Sequence, residues 1–279
     1  MKRVLLTGAG GFVGARAAEQ LSGQLELVPA PRGWMQNASQ PDIARLIEDV
    51  HPDAVLHLAA LADTGFCEKN PDASYRANVL VPLWIAQAAR GAGAKLVAFS
   101  SDQVYAGCGR DGALSEDVPL SPSNVYGRHK LEAEQRVLDA APDAVLLRAT
   151  WMYDLPGYRL PMRAGFLVQL FRAALRGERL MFSDRDFRGV TYVRQAVSNL
   201  VPALELPGGV YNYGSENDCG MLETARRFCA ELGISPALIP GDRERNLLMD
   251  TAKARRGGVV FDTTCGGVVR CLKDYGLRG

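Results

Sequence analysis

Tyr126 and Lys130 have the side-chain types and the spacing that acid–base chemistry requires. On a helix, positions four apart lie on one face, with Cβ atoms about 5 to 6 Å from each other. An ammonium group at that distance favours ionisation of a phenol, whose ordinary pKa is about 10. Such a pair can protonate a substrate oxygen or remove its proton. We therefore predict that Tyr126 and Lys130 are catalytic.

Ser101 is the third catalytic candidate. It follows the β-type run Leu96-Val97-Ala98-Phe99-Ser100. Ligands of doubly wound sheets bind at the carboxyl ends of the strands. A hydroxyl at such an end can hydrogen-bond the same substrate oxygen as Tyr126. The three residues together predict redox chemistry at an alcohol or ketone carbon.

A glycine-rich segment near the start of the chain indicates a dinucleotide. The run Thr7-Gly8-Ala9-Gly10-Gly11-Phe12-Val13-Gly14 follows a β-type run and opens a helix-like stretch, although its spacing is GxxGxxG rather than GxGxxG. Gly8 permits a tight turn, Gly11 lets the backbone approach a pyrophosphate, and Gly14 lets helix and strand pack closely. Exposed amides at the helix start then face the phosphates.

The end of the second predicted strand bears on the choice of dinucleotide. An acid there binds the adenosine ribose of NAD, whereas a basic residue suits the extra phosphate of NADP. This chain continues through residues 28–33 with Arg32 and has no acid before Asp42. The sequence thus favours NADP(H) over NAD(H).

Alternating short apolar runs and helix-like stretches position these residues. The pattern predicts a doubly wound parallel Rossmann sheet with a smaller, discontinuous α/β substrate-binding lobe. Strands are expected at 4–7, 25–28, 54–58, 95–100 and 144–148, and later at 180–182 and 210–213. Helices are expected at 12–22, 42–50, 71–92, 124–139, 166–176, 194–204 and 221–232.

We expect residues 1–153 to form the dinucleotide-binding domain, rejoined by about 189–213. Residues 154–188 and 214–279 should form the substrate-binding lobe.

Composition narrows the functional classes. The formal net charge of +1 predicts neither nucleic acid nor a membrane surface as partner. Six cysteines occur without a CxxC pair or a His/Cys cluster of metal-binding type, so we predict free thiols and no metal. No signal peptide or stretch of about 20 apolar residues is apparent. We expect a cytoplasmic enzyme, and a homodimer is left open.

The chain resembles the extended short-chain dehydrogenase/reductases, and within them it looks most like the dTDP-4-dehydrorhamnose reductases. The resemblance spans nearly the whole chain and depends jointly on several motifs. They are the glycine-rich loop, His57-Leu58-Ala59-Ala60, Asn78-Val79, residues 100–105, 122–130, 147–153 and 189–193, and Arg243-Glu244-Arg245-Asn246 leading to Asp250-Thr251.

The resemblance implies a role for each site residue. Tyr126 would be the proton donor, Lys130 would bind the nicotinamide ribose and tune Tyr126, and Ser101 would polarise the carbonyl. The predicted dinucleotide contacts are Gly8, Gly11, Phe12, Val13, Gly14, Arg32, Asn37, Leu58, Ala59, Ala60, Asn78, Tyr126 and Lys130. The predicted substrate contacts are Asp102, Trp151, Arg188 and Arg245.

Two departures from these reductases bear on the prediction. Ser101 stands where they commonly carry Thr, which keeps the hydroxyl. Residues 243–247 read Arg-Glu-Arg-Asn-Leu where the reductases usually read Arg-Pro-x-Asn-Ser. The sugar and nucleotide of the substrate are therefore left open.

Three functions remain at this stage. The first is an NADPH-dependent reductase of a 4-keto nucleotide-sugar. The second is an NAD-dependent nucleotide-sugar epimerase; a dehydratase is disfavoured because Gln103 stands where such enzymes carry a glutamate. The third is a non-catalytic regulatory subunit that retains the reductase fold.

Overall fold

The computed structural model describes residues 1–33, 37–156, 159–163 and 165–278. Its centre is a six-stranded sheet in the order β10-β5-β4-β3-β1-β2, in which all neighbours run parallel. The six strands are β1 Arg3–Thr7, β2 Glu26–Pro29, β3 Ala54–His57, β4 Lys95–Ser101, β5 Val145–Ala149 and β10 Gly209–Tyr213. The predicted fold class is confirmed.

Apolar strands explain why this sheet lies in the middle of the molecule. Every residue of β3 is buried, and most of β1 and β5 is too. Residues on opposite sides of one strand enter different hydrophobic clusters: Leu6 belongs to one cluster and Leu5 to the other. Burial on both faces is typical of parallel sheets covered by helices.

Helices connect and cover the strands. They are Phe12–Gln20, Gln40–Val50, Thr64–Lys69, Pro71–Tyr75, Val81–Gly91, Val125–Ala140, Phe166–Arg176, Val193–Ser198, Leu200–Ala203, Met221–Leu232, Ala252–Arg256 and Thr264–Asp274. A π-helical turn, Arg76–Leu80, and a 3₁₀ turn, Asp102–Tyr105, complete the helical segments.

Three two-stranded parallel sheets lie outside the main sheet. They pair β6 Trp151–Tyr153 with β9 Val190–Tyr192, β7 Arg179–Phe182 with β11 Ala237–Pro240, and β8 Asp186–Arg188 with β12 Arg245–Leu247. We call β7, β8, β11 and β12, with helices Phe166–Arg176 and Met221–Leu232, the small lobe. A separate aromatic cluster that includes Phe166 and Phe228 stabilises it.

The structure contains elements that were not predicted, and some predicted helices are interrupted. The strands at 151–153, 186–188, 190–192, 237–240 and 245–247 and the helices at 64–69, 252–256 and 264–274 lie outside the predicted ranges, because these segments are short or lack a clear apolar period. The single helix expected at 71–92 contains the π-helical turn at 76–80, and the one expected at 194–204 is divided at Asn199. The strand Gly209–Tyr213 pairs with β5 in the main sheet. The division of the chain into two domains stays a prediction.

Two kinds of feature are absent from the described residues. No helix there is both long and apolar enough to cross a membrane. No group of three or more His, Cys, Asp and Glu side chains is arranged to hold a metal ion in the ranges the structure describes.

Candidate active site

A cleft of about 1440 Å³ opens at the carboxyl ends of the central strands. Gly8 follows β1, Leu58 follows β3, Ser101 ends β4 and Ala149 ends β5, and all four line the cleft. Parallel strands end at the same edge of a sheet, which is why these four positions meet. Residues of the small lobe, among them Phe182 and Arg245, contribute to the lining as well.

The glycine-rich loop packs tightly against the segment that follows β3. Gly8 has φ +75°, a left-handed conformation that favours glycine, and a Cβ there would lie 2.8 Å from the Ala59 amide nitrogen. A Cβ on Gly14 would overlap the carbonyl oxygen of Gly8. Phe12, Val13, Ala59 and Ala60 also line the cleft. The loop therefore presents glycine backbone and the apolar side chains of Phe12 and Val13 at this wall.

Arg16, which sequence reasoning missed, fixes the helix behind the loop. Its side chain is fully buried, and its Nε donates to Asp154 Oδ2 at 2.5 Å. Its Nη1 donates to the Phe12 carbonyl oxygen at 2.8 Å. A lone arginine in an amphipathic helix gives no signal of burial, because its partner lies 138 residues away.

Ser101, Tyr126 and Lys130 meet in the cleft as predicted, and all three are buried. Asn124 caps the helix that carries the tyrosine and lysine by accepting a hydrogen bond from the Gly127 amide at 2.8 Å. Lys130 Nζ lies 5.9 Å from the centre of the Tyr126 ring. The helical spacing thus places both side chains on the cleft wall.

Burial disfavours the charged form of both groups, so their pKa values move in opposite directions. It raises the pKa of Tyr126, and a hydrogen bond with Ser101 opposes part of that rise. It lowers the pKa of Lys130 to about 8, which the nearby Glu134 carboxylate opposes. Lys130 Nζ donates to the Phe99 carbonyl oxygen at 2.8 Å. Tyr126 is therefore protonated near neutral pH, as a proton donor must be.

A buried charged network lies beneath these residues. Arg148 Nη2 donates to Glu134 Oε2 at 2.7 Å, and Ser100 Oγ donates to Glu134 Oε1 at 2.5 Å. Arg148 Nη1 also donates to the Tyr105 hydroxyl at 2.7 Å. Glu134 belongs to the same helix as Lys130, so the network fixes that helix against β4 and β5. No local motif predicts this pairing, because Glu134 and Arg148 lie on separate elements.

His57 at the end of β3 stays neutral. Burial, with a smaller effect of the Lys130 charge, lowers its pKa to about 3. Its Nδ1 is hydrogen-bonded to Thr7 Oγ1 at 2.8 Å. The uncharged imidazole thus ties the ends of β1 and β3 together below the cleft.

Another part of the cleft lining carries paired charges. Arg188 Nη2 donates to Asp102 Oδ2 at 2.5 Å, and its guanidinium lies 4.9 Å from the centre of the Trp151 ring. Arg245 makes a bidentate contact with Asp186, at 2.9 Å from Nε and 2.8 Å from Nη2. All five residues line the cleft. The four predicted substrate residues are therefore brought together, and Asp186 was missed.

Three predicted dinucleotide residues do not line the cleft. Arg32 and Asn37 are exposed on the segment after β2, and residues 34–36 between them lie outside the described residues. Asn78 is fully buried, where its Oδ1 accepts from the Leu61 amide at 3.2 Å and its Nδ2 donates to the Leu61 carbonyl oxygen at 3.0 Å. Asn78 therefore holds the segment after Ala60 in place.

Comparison with known proteins identifies similar sequences and folds. The model of the family described as "RmlD substrate binding domain" matches residues 1–254. A dTDP-4-dehydrorhamnose reductase of Mycobacterium tuberculosis is 28% identical over 244 residues, which cover 84% of this chain and 77% of that protein.

Two solved structures share the fold. One is a dTDP-4-dehydrorhamnose reductase from Bacillus anthracis in complex with NADP, with a TM-score of 0.88, 22% identity, and 98% of this chain and 99% of that chain covered. The other is a UDP-glucose 4-epimerase from Thermus thermophilus in complex with NAD, with a TM-score of 0.79, 22% identity and 98% of each chain covered.

Proposed function

This chain belongs to the RmlD substrate binding domain family, and on that premise we propose that it is an NADPH-dependent reductase of a 4-keto nucleotide-sugar. Named relatives are reductases, so the general class is that of NAD(P)-dependent oxidoreductases. The observation that carries the proposal is that Ser101, Tyr126 and Lys130 line the same cleft as the carboxylate-paired Arg188 and Arg245.

The glycine-rich loop fits a dinucleotide. Gly14 lies close to Gly8, Gly8 lies close to Ala59, and the first helix begins at Phe12 in the cleft lining without a side-chain cap. The amides at this helix start would bind the pyrophosphate. Leu58, Ala59 and Ala60 would hold the nicotinamide side. When bound, the dinucleotide supplies the hydride that the carbonyl carbon accepts. The preference for NADPH depends on Arg32.

The catalytic residues supply the proton and hold the carbonyl. Tyr126 donates its proton to the developing alkoxide, because burial keeps the phenol protonated at neutral pH. Ser101 donates a hydrogen bond to the same oxygen. Lys130 holds the dinucleotide ribose and places a positive charge beside the phenol as it ionises. Oriented binding provides most of the rate, and acid catalysis adds roughly 10² to 10⁴.

The charged wall suits the diphosphate of a nucleotide-sugar. Arg188 and Arg245 are fixed by Asp102 and Asp186, so their guanidinium groups are held in place before substrate enters. Prepositioned guanidinium groups bind phosphate oxygens well. Trp151 offers an aromatic face beside Arg188. These contacts would distinguish a nucleotide-sugar from a small ketone.

The test is Tyr126→Phe, assayed for reduction of a 4-keto nucleotide-sugar by NADPH. Turnover should fall roughly 10²- to 10⁴-fold, with the Kd for NADPH unchanged. Tyr75→Phe is the matched control, since it removes a hydroxyl bonded to Glu132 on a residue outside the cleft lining. Full activity of Tyr126→Phe would refute the assignment.

Net cofactor consumption separates the reductase from the epimerase. A reductase oxidises one NADPH for each product, whereas an epimerase recycles its dinucleotide. Interconversion of two sugars at constant NADPH absorbance would replace the first proposal with the second. If neither reaction occurs across a nucleotide-sugar panel and a partner protein copurifies stoichiometrically, the chain is a regulatory subunit.

A further inference from the structure

Glu134 carries a buried negative charge that the proposed reaction does not use. Its side chain is only 4% exposed. It lies on the helix Val125–Ala140, four residues after Lys130. Positions four apart lie on one face of a helix. The two side chains therefore extend from the same face of this helix.

Neighbouring residues of β4 hold the two side chains. Lys130 Nζ donates to the Phe99 carbonyl oxygen at 2.8 Å, and Glu134 Oε1 accepts from Ser100 Oγ at 2.5 Å. The ammonium and the carboxylate are thus bonded to adjacent points of one strand. Charges in a buried region are screened much less than charges at the surface. Of the charged groups around Lys130, Glu134 has the largest effect on it.

Stability alone does not account for a carboxylate at this position. Glu134 also accepts from Arg148 Nε at 3.0 Å and from Arg148 Nη2 at 2.7 Å. These bonds compensate the burial of both charges, but replacing a buried ion pair by apolar side chains of similar volume is often neutral or stabilising. Apolar residues could therefore fix the helix to β5. They could not supply a negative charge beside Lys130.

The other titratable groups around Lys130 do not replace this charge. His57 of β3 is neutral, because burial lowers its pKa to about 3. Tyr126 is protonated near neutral pH, because burial raises its pKa. The Cys67 thiol is buried and has a smaller effect on Lys130 than Glu134 has. Glu134 is therefore the group whose loss should change the charge of Lys130 most.

We propose that Glu134 is a positioning residue for Lys130, and that its carboxylate keeps the ammonium protonated while the dinucleotide is bound. An ammonium has three N–H donors. The Phe99 carbonyl oxygen takes one, which leaves two for the ribose hydroxyls. A neutral amine would place no positive charge beside the Tyr126 phenol as it ionises. This inference deepens the proposed function and rests on it for the roles of Lys130 and Tyr126.

The test is Glu134→Gln, which keeps the shape of the side chain and removes its charge. The lysines of the full chain are labelled with ¹³C at Cε and titrated by NMR, and the Lys130 signal is the one that Lys130→Arg lacks. In the wild type the pKa of Lys130 is about 8, with burial lowering it and Glu134 opposing that effect. Without the carboxylate the midpoint should move down by about one pH unit, at the lower end of the effect of a nearby opposite charge. The pH above which kcat/KM for reduction falls should move down equally.

Three further variants separate the charge of Glu134 from its packing. Glu134→Asp keeps a carboxylate and should hold the midpoint near the wild-type value. Glu132→Gln removes a partly exposed carboxylate from the same helix and should leave the midpoint unchanged. The double variant Glu134→Gln/Arg148→Met leaves no unpaired guanidinium in the interior. It should show the lowered midpoint as well, and it carries the test if the single variant does not fold.

An unchanged midpoint in the variants that lack the carboxylate would overturn the proposal. An equal shift in Glu134→Asp would also overturn it, because packing rather than charge would then be responsible. The NMR titration needs no turnover, so its result does not depend on the reductase assignment. Full activity of Tyr126→Phe, in contrast, would refute the proposed function whatever the Glu134 variants show.

Discussion

The two sides of the cleft are built from different kinds of groups. The dinucleotide side, residues 8–14 and 58–60, contains no charged side chain and consists of glycine, alanine and three larger apolar residues. The substrate side consists of Asp102, Trp151, Asp186, Arg188 and Arg245, whose charges are paired before any ligand is present. Both sides are proposed to bind phosphate groups.

This contrast corresponds to two proposed ways of binding an anion. Backbone amides at a helix start need only a close approach, so the dinucleotide side depends on the lack of side chains. Guanidinium groups need anchoring, because a long side chain loses rotamer freedom when it is fixed. Asp102 and Asp186 provide that anchoring on the substrate side. Variants on the two sides should therefore lose ligand affinity for different reasons.

Gly14→Ala should have the largest effect. The added methyl group overlaps the Gly8 carbonyl oxygen, so the loop must move and the amides lose their alignment. We expect NADPH binding to weaken on the order of 100-fold, as measured by fluorescence titration.

Gly10→Ala provides the control for this variant. A Cβ at Gly10 would have no neighbour within 4 Å, so its NADPH affinity should stay close to that of the wild type. Equal losses in both variants would mean that the loop does not bind through its backbone in this way.

Arg245→Met tests the substrate side of the cleft. It leaves the Asp186 carboxylate without its bidentate partner and removes a guanidinium from the cleft. We expect KM for the nucleotide-sugar to rise about 30-fold or more, with NADPH affinity unchanged.

Arg243→Met is the matched control, because Arg243 lies 3.8 Å from the same carboxylate but its side chain is 65% exposed. Its effect should stay below about fivefold. If Arg245→Met lowers NADPH affinity as much as substrate affinity, the proposal that the two sides bind different ligands is contradicted.

The pH dependence links the two sides through Lys130. Burial lowers the pKa of Lys130 to about 8, so the ammonium loses its proton as the pH rises through that value. Both Tyr126 and Lys130 must be protonated for reduction, so kcat/KM should be flat below about pH 8. Above it, kcat/KM should fall about tenfold per pH unit.

Lys130→Arg keeps the charge throughout this range, because an arginine does not titrate there. Its activity, although reduced, should lose the break near pH 8. A break that persists in this variant would assign the titration to another group.

Arg32→Ser should have the smallest effect. Arg32 is exposed, and an exposed charge contributes only about 0.2 to 1 kcal/mol. The ratio of the Kd for NADH to that for NADPH should therefore fall by a few-fold, as measured by parallel titrations at low salt. An unchanged ratio would remove the basis for NADPH preference, although the glycine-rich loop would still account for dinucleotide binding.

Prediction from the sequence succeeded where a local pattern defines a local structure. The glycine spacing after a β-type run predicts the tight loop, and the four-residue spacing of Tyr126 and Lys130 predicts their shared face. Ser101 was predicted from its position at a strand end. Asn78 shows the limit of such patterns, because the motif predicts a dinucleotide contact and the structure uses the amide to hold Leu61.

By itself, the sequence determined the parallel sheet, the glycine-rich loop and the positions of Ser101, Tyr126 and Lys130, since each follows from contacts within a few residues or from strand ends meeting at one edge. Only the tertiary structure decided the paired charges. Arg188 and Asp102 are separated by 86 residues, and Arg16 and Asp154 by 138. From the sequence alone, an arginine is expected to be solvated. Its burial and its carboxylate partner are decided by long-range packing, which the spacing of nearby residues does not predict.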